Sequence, residues 1–193
     1  MQLVLASTSP YRRTLLERLG LPFETASPDI NESPLEHETP TALVTRLSET
    51  KARAMTARFS DALIIGSDQV AVLNDQILGK PGNHEKAIQQ LRAASGRRVN
   101  FLTGLCLLNG KTGNCHLAVV PFSVVFRSLS DTQIEQYVLR DKPYQCAGSF
   151  RSEGLGISLF EKMEGNDPSA LIGLPLIELT TLLAKEGMDI LMP

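Results

Sequence analysis

The chain opens with a short apolar run, Leu3-Val4-Leu5-Ala6, which passes through a polar turn, Ser7-Thr8-Ser9-Pro10, into a helical pattern closing at Gly20 and Pro22. Four apolar residues without polar alternation read as a buried strand, so the chain begins strand, loop, helix. That start constrains the fold to one mixing strands with helices that cover them. The same order recurs. Thr39-Pro40 supplies an N-cap and first helical residue, Leu43, Leu47 and Ala54 mark an amphipathic helix to about Phe59, and Ala62-Leu63-Ile64-Ile65-Gly66 forms a second buried strand. Asp68 is placed just past the end of that strand.

Downstream, Val70 to Leu73 and Ile77-Leu78 flank Asn74-Asp75-Gln76, a pattern that predicts a small hairpin. A helix follows from about Glu85 to Ala94, then two long strands, Arg98 to Asn109 and His116 to Arg127, with Pro121 marking a bulge or an edge. Ser130 with Gln133 is a capping box opening a helix through about Leu139, residues Lys142 to Asn166 read as a glycine-rich polar segment, and a last amphipathic helix spans about Leu176 to Lys185. The expectation is an α/β or α+β fold with a curved mixed sheet flanked by helices, built by residues 1–193 as a single domain or as two lobes sharing one core.

Charge narrows the partners. With 19 basic and 21 acidic residues the formal charge is -2, too small a field to gather nucleic acid or an anionic membrane, so an anionic ligand must be held by local groups. No basic patch with interleaved aromatics marks a nucleic-acid-binding module. The three cysteines, Cys106, Cys115 and Cys146, match neither C-x-x-C nor a common zinc spacing, and read as reduced thiols. No basic n-region precedes a long apolar run, and no stretch has the ~20 apolar residues of a membrane span, so a cytoplasmic location is expected.

Three features resist a purely structural explanation. Ser7-Thr8-Ser9-Pro10-Tyr11-Arg12-Arg13 lies between a buried strand and a helix N-terminus, where free N–H groups, the helix dipole, hydroxyls and guanidinium groups suit an anion. Arg13 taken alone also fits a residue facing water. Lys51 falls on the stripe expected to face the core, either as a paired buried lysine or as one snorkelling from the stripe's edge. Gly66-Ser67-Asp68-Gln69 puts a carboxylate at the carboxyl end of a buried strand, where ligands collect in α/β folds, and Lys80 follows in Gly79-Lys80-Pro81. An aspartate, two lysines and an anion loop point to phosphoryl chemistry assisted by a divalent metal. His37, His84 and His116 lack ligand spacing and read as surface or satisfied residues.

In order and spacing, Leu5-Ala6-Ser7-Thr8-Ser9-Pro10-Tyr11-Arg12-Arg13, Glu32, Lys51-Ala52, Gly66-Ser67-Asp68, Gly79-Lys80-Pro81, Ala147-Gly148 and Gly173-Leu174-Pro175-Leu176 resemble the Maf family of nucleoside triphosphate pyrophosphatases. The resemblance covers nearly the whole chain. It implies an elongated fold similar to inosine triphosphatase, with a long curved sheet, two lobes about a central cleft, and commonly a homodimer. It also implies that Asp68 is the proton acceptor activating water, with Mg2+ or Mn2+ held near Asp68 and Glu32. Ser7, Arg12, Arg13 and Lys51 would grip the phosphates, and Lys80 would offset charge on departing pyrophosphate.

Within that family the chain looks like the YceF-type branch, which hydrolyses 7-methyl-guanosine triphosphate. Tyr11, Gln69 and Glu153 stand where the branch acting on thymidine and uridine triphosphates has arginine, threonine and glutamine. Methylation at N7 makes guanine cationic and leaves N1–H and N2–H donors on one edge, which suits a Glu153 carboxylate, with Tyr11 against the ring and Gln69 completing the pocket. The competing readings are the same reaction on another base and a nucleotide-binding regulator of cell division.

Overall fold

The computed structural model describes residues 1–192. In chain order its main elements are β1 (Leu3–Ala6), α1 (Pro10–Glu17), β2 (Glu24–Ala26), α2 (Pro40–Arg53), β3 (Leu63–Leu73), β4 (Gln76–Leu78), α3 (His84–Ala94), β5 (Arg98–Asn109), β6 (Cys115–Phe126), α4 (Asp131–Asp141), β7 (Phe160–Gly165), α5 (Pro168–Ile172) and α6 (Leu176–Lys185). The strands form a mixed seven-stranded sheet in the order β2-β1-β3-β5-β6-β7, with β4 paired to β3. Among the described residues no helix is long and apolar enough to cross a membrane.

The chain divides into two compact units. The first holds Met1–Gln69, Thr103–Val120 and residues 167–192; the second holds Val70–Leu102 and Pro121–Asn166.

In the first unit β1 pairs in parallel with β2 and β3, Leu5 lying opposite Thr25 on one side and Ile65 on the other. Alternate residues then divide between two apolar layers. Leu3, Leu5, Leu63 and Ile65 pack with Leu15 and Leu16 of α1 and Leu179, Leu182 and Leu183 of α6. Val4, Ala6 and Ile64 pack with Ala52, Met55 and Phe59. Burial on both faces explains why these strands read as continuous apolar runs, and each buried leucine or isoleucine contributes roughly 1.5–3 kcal/mol.

In the second unit β3 turns into β4 at Asn74 and Asp75, whose φ values of 49° and 63° suit a tight hairpin. Phe101, Phe126, Phe150 and Phe160 build its core edge to face, with ring centroids 4.8 to 5.6 Å apart. Phe160 begins β7, which pairs antiparallel with β6 from Phe122 to Phe126. The register shifts between Val125 and Phe126, and Pro121 lies just outside the paired stretch.

The structure corrects several boundaries. β3 is unbroken from Leu63 to Leu73, so Asp68 lies inside the strand and not beyond its end. α2 stops at Arg53 with Ala54 exposed, and the chain reaches Phe59 through turns. The polar segment Lys142 to Asn166 contains β7 and two 3-10 turns, Ala147–Ser149 and Leu155–Leu159, and residues to which the sequence pattern gave no element form β2 and α5. Of these, α5 carried a usable signal: Asp167-Pro168 is the same cap and first-residue pairing as Thr39-Pro40, and Asp167 accepts from Ser169 N at 2.9 Å.

Candidate active site

The site in the first unit is set by how closely α2 lies on the sheet. A Cβ built on Gly66 would strike the Ser48 carbonyl oxygen, and one on Gly104 would strike the Val44 carbonyl and the Ser48 hydroxyl. Glycine at both strand positions lets the helix backbone approach. Leu43, Val44, Leu47, Ser48, Lys51 and Ala52 form the buried stripe of α2, so Lys51 is carried directly over β3. With period-two alternation Ile64, Gly66 and Asp68 face α2, and Lys51 meets Asp68 there.

Lys51 Nζ lies 2.6 Å from Asp68 Oδ1 and 2.9 Å from Glu32 Oε1. Lys51 is only 4% exposed, which removes the snorkelling reading and makes it a buried, doubly paired cation. Asp68 is buried as well, whereas the Glu32 side chain is 55% exposed and closes the arrangement from solvent. Two carboxylates thus converge on one ammonium, and one or two carboxylates together with substrate phosphates are the ligands a hard divalent ion such as Mg2+ usually takes. Their oxygen donors suit Mg2+ or Mn2+. No group of three or more histidine, cysteine or acidic side chains able to hold a metal occurs among the described residues.

The anion loop reaches the same region. Ser9 caps α1, its hydroxyl accepting from Arg12 N at 3.4 Å, and Pro10 occupies the first helical position. Ser7, buried, accepts from Ser9 N at 3.1 Å. Arg12 Nε donates to the Gly173 carbonyl at 2.7 Å, and Ser67 Oγ lies 3.0 Å from the same oxygen. Burial lowers the Arg12 pKa, while Asp68 and Glu32 act in the opposite direction. A guanidinium stays charged under such a shift.

Gly173 belongs to a turn fixed from below. Asp167 accepts from Ser169 N and Ser169 Oγ through Oδ1 and from Ile177 N, at 2.8 Å, through Oδ2; Ser169 Oγ accepts from Leu176 N at 2.7 Å. One buried aspartate therefore caps both α5 and α6. Gln69 points to this side of β3. Its Nε2 donates to the Ala170 and Leu171 carbonyls at 2.7 and 3.1 Å and lies 3.0 Å from Thr103 Oγ1. Carbonyl acceptors at the nitrogen settle the amide orientation.

The remaining candidates are placed differently. Arg13 forms an exposed i, i+4 pair with Glu17 at 3.0 Å, so the structure gives it a surface partner and does not bring it to Lys51. Tyr11 is half-buried in the first turn of α1. Lys80 and Glu153 belong to the second unit, both exposed; Glu153 Oε2 accepts from Ser152 Oγ at 3.3 Å. His37 is exposed beside Glu36, His84 bonds Tyr144 and Glu135, and His116 bonds Glu186.

Sequence reasoning missed Arg46. Its Nε and Nη2 grip Glu38 at 2.6 and 2.7 Å, and Nη2 also donates to the Ser33 carbonyl at 3.1 Å. Asp68 adds to the stabilisation of its charge. Glu38 lies before the Thr39 N-cap, outside the helix that carries Arg46, so no i, i+3 or i, i+4 pattern announces the pair.

Comparison with known proteins bears on the family and the fold. The family model described as "Maf-like protein" matches residues 2–186. The chain is 61% identical over 189 residues to a protein of Nitrosococcus oceani named 7-methyl-GTP pyrophosphatase, covering 98% of this chain and 95% of that one. Proteins of the same name from Pseudoalteromonas translucida and Pseudomonas aeruginosa are each 56% identical, covering 98% and 97% of this chain and 94% and 98% of theirs. Among solved structures, a HAM1 protein from Coxiella burnetii superposes with a TM-score of 0.53 at 14% identity, over 96% of this chain and 99% of that one. The Staphylococcus aureus Ham1 protein gives 0.51 at 14%, over 96% and 100%. These structural likenesses bear on the fold alone.

Proposed function

The chain belongs to the Maf family, and on that footing we propose that it hydrolyses 7-methyl-GTP to 7-methyl-GMP and pyrophosphate, with Asp68 as the proton acceptor. The observation that carries the reading is the buried Lys51 ammonium shared by Asp68 and Glu32. Substrate phosphates that draw the Lys51 ammonium away would free the Asp68 carboxylate to act as general base, and the same carboxylate pair suits a divalent ion.

Mg2+ or Mn2+ held by Asp68 and Glu32 would supply Lewis-acid assistance to attack on phosphorus. Asp68 takes the proton of the attacking water, the new bond forms from that oxygen to the α-phosphorus, and the bond from the α-phosphorus to the bridging oxygen breaks to release pyrophosphate. Lys51 exchanges its carboxylate partners for phosphate oxygens as the triphosphate enters. Arg12, anchored through Gly173, and the Ser7 hydroxyl hold phosphate oxygens, and Lys80 offsets charge on the leaving pyrophosphate. Arg13, tied to Glu17, contributes at most general positive potential.

For the base, Glu153 is proposed as the acceptor of the N1–H and N2–H donors of guanine and Tyr11 as the ring that lies against it. A hydrogen bond to a charged group contributes roughly 1.5–3 kcal/mol and a tyrosine under a cation about 0.5–2, so Glu153 dominates selectivity. We further take the enzyme to act in the cytoplasm as a homodimer.

The test is pyrophosphate release with Mg2+ or Mn2+ across 7-methyl-GTP, GTP, UTP and dTTP. The reading expects a marked preference for 7-methyl-GTP that Glu153→Gln reduces by about tenfold or more. Preference for a pyrimidine, or an unchanged preference in Glu153→Gln, would overturn the base assignment while leaving the reaction class standing.

A further inference from the structure

Glu32 is the exposed member of the Lys51, Asp68, Glu32 group, and it sits in a segment, residues 27–38, that contains no helix or strand. An irregular exposed segment spends entropy to hold a side chain in one place, so something must tie it down. The bonds that do so converge on one residue of α2.

Arg46 reaches back from the second turn of α2 and makes two parallel bonds to the Glu38 carboxylate, at 2.6 and 2.7 Å, and a third from Nη2 to the Ser33 carbonyl at 3.1 Å. Ser33 follows Glu32 directly. The Glu38 carboxylate in turn accepts from Leu35 N at 3.0 Å, Leu35 O accepts from Glu38 N at 3.2 Å, and Asn31 Oδ1 accepts from Ser33 N at 2.9 Å. Glu38 is nearly covered, its side chain 6% exposed, so this is no loose surface pair. A bidentate guanidinium fork fixes direction as well as distance. Ser33 and Glu38, both following Glu32, are therefore fastened to the helix that also carries Lys51, five residues beyond Arg46, and Asn31 on the other side of Glu32 is tied to Ser33.

We propose that Arg46 is a positioning residue for the reaction: clamped to Glu38 and the Ser33 carbonyl, it holds Glu32 against Lys51 and beside Asp68. This rests on the proposed role of Glu32 in the hydrolysis and extends it to a residue outside the reacting group. Arg46 acts through Glu32, so its loss should matter only while Glu32 is present. Lysine cannot reproduce the two-pronged grip, so Arg46→Lys should recover little.

The experiment is a double-mutant cycle on kcat/KM for pyrophosphate release from 7-methyl-GTP, using Arg46→Met, Glu38→Gln, Glu32→Gln and the combinations with Glu32→Gln. Misplacement of a catalytic group by about 1 Å can cost on the order of 100-fold, so Arg46→Met and Glu38→Gln should each lower kcat/KM by about 10- to 100-fold. Added to Glu32→Gln, neither should lower it by more than about twofold. If Glu32→Gln falls below detection, the cycle is read with Glu32→Asp as the background. Amide hydrogen exchange across residues 31–38 should quicken in Arg46→Met and Glu38→Gln. Equal losses with and without Glu32, or wild-type activity in Arg46→Met, overturn the proposal. A wild-type protein inactive on every triphosphate would overturn the functional reading on which it stands.

Discussion

Lys51 and Asp68 form a buried ion pair 2.6 Å across, joining helix α2 to strand β3 where two strand glycines let the helix down onto the sheet. Such a pair contributes modestly to stability when intact, but removing one partner leaves a buried charge uncompensated.

Lys51→Met should therefore destabilise the protein by about 3 kcal/mol, since Asp68 keeps its burial and faces Glu32 without the ammonium between them. The two carboxylates should then take Mn2+ in its place, so Mn2+ should raise the Tm of Lys51→Met more than that of the wild type. Turnover should fall by at least about 100-fold. Thermal unfolding with and without Mn2+, beside a pyrophosphate assay, checks all three. Equal Mn2+ shifts in the two proteins would contradict the shared cation-binding point.

Gly66→Ala should be disruptive although it adds one methyl group. Its Cβ would collide with backbone atoms of Ser48 and Ala52, which have no flexible end to move aside. α2 must lift, taking Lys51 off Asp68, and a cost of about 1–3 kcal/mol from overpacking is expected together with loss of activity. Urea unfolding and steady-state kinetics measure both; a stable and fully active variant would contradict the close-approach argument.

Glu38 gives a pH dependence of known sign. Its bond from Arg46, with help from Leu35 N, lowers its pKa to about 2. The unfolded chain titrates near the ordinary value of about 4.3. A depressed carboxylate contributes stability that is present in full above the unfolded value and fades as pH falls through the folded one. Wild-type stability should thus drop between about pH 4.3 and 2 more steeply than that of Glu38→Gln. Unfolding free energies across that range decide it, and parallel curves would contradict the Arg46–Glu38 clamp.

Much of this was legible from local pattern because local physics determines it. Thr39-Pro40 starts α2, Ser130 with Gln133 starts α4, and the helical stripe carries Lys51 inward, as the structure shows. Gly66-Ser67-Asp68 was misread as a strand end because small polar residues resemble a turn. The reason for Gly66 lies in Ser48 and Ala52, on a helix the strand meets only in three dimensions. Arg13, which taken alone also fits a residue facing water, is exposed and finds its partner one turn away in Glu17, a pairing the dipole argument does not see. Arg46 was invisible for a related reason: its partners Glu38 and Ser33 are chosen by how an irregular segment folds back. β2 and α5, of three and five residues, are too short for periodicity to reveal.

The most direct test of the account is Asp68→Asn, an isosteric change that removes the proton acceptor and keeps the shape. Pyrophosphate release from 7-methyl-GTP should fall by about 100- to 10,000-fold while a non-hydrolysable triphosphate analogue still binds within about tenfold of wild-type affinity. Wild-type turnover in Asp68→Asn would contradict the central claim that Asp68 activates the attacking water.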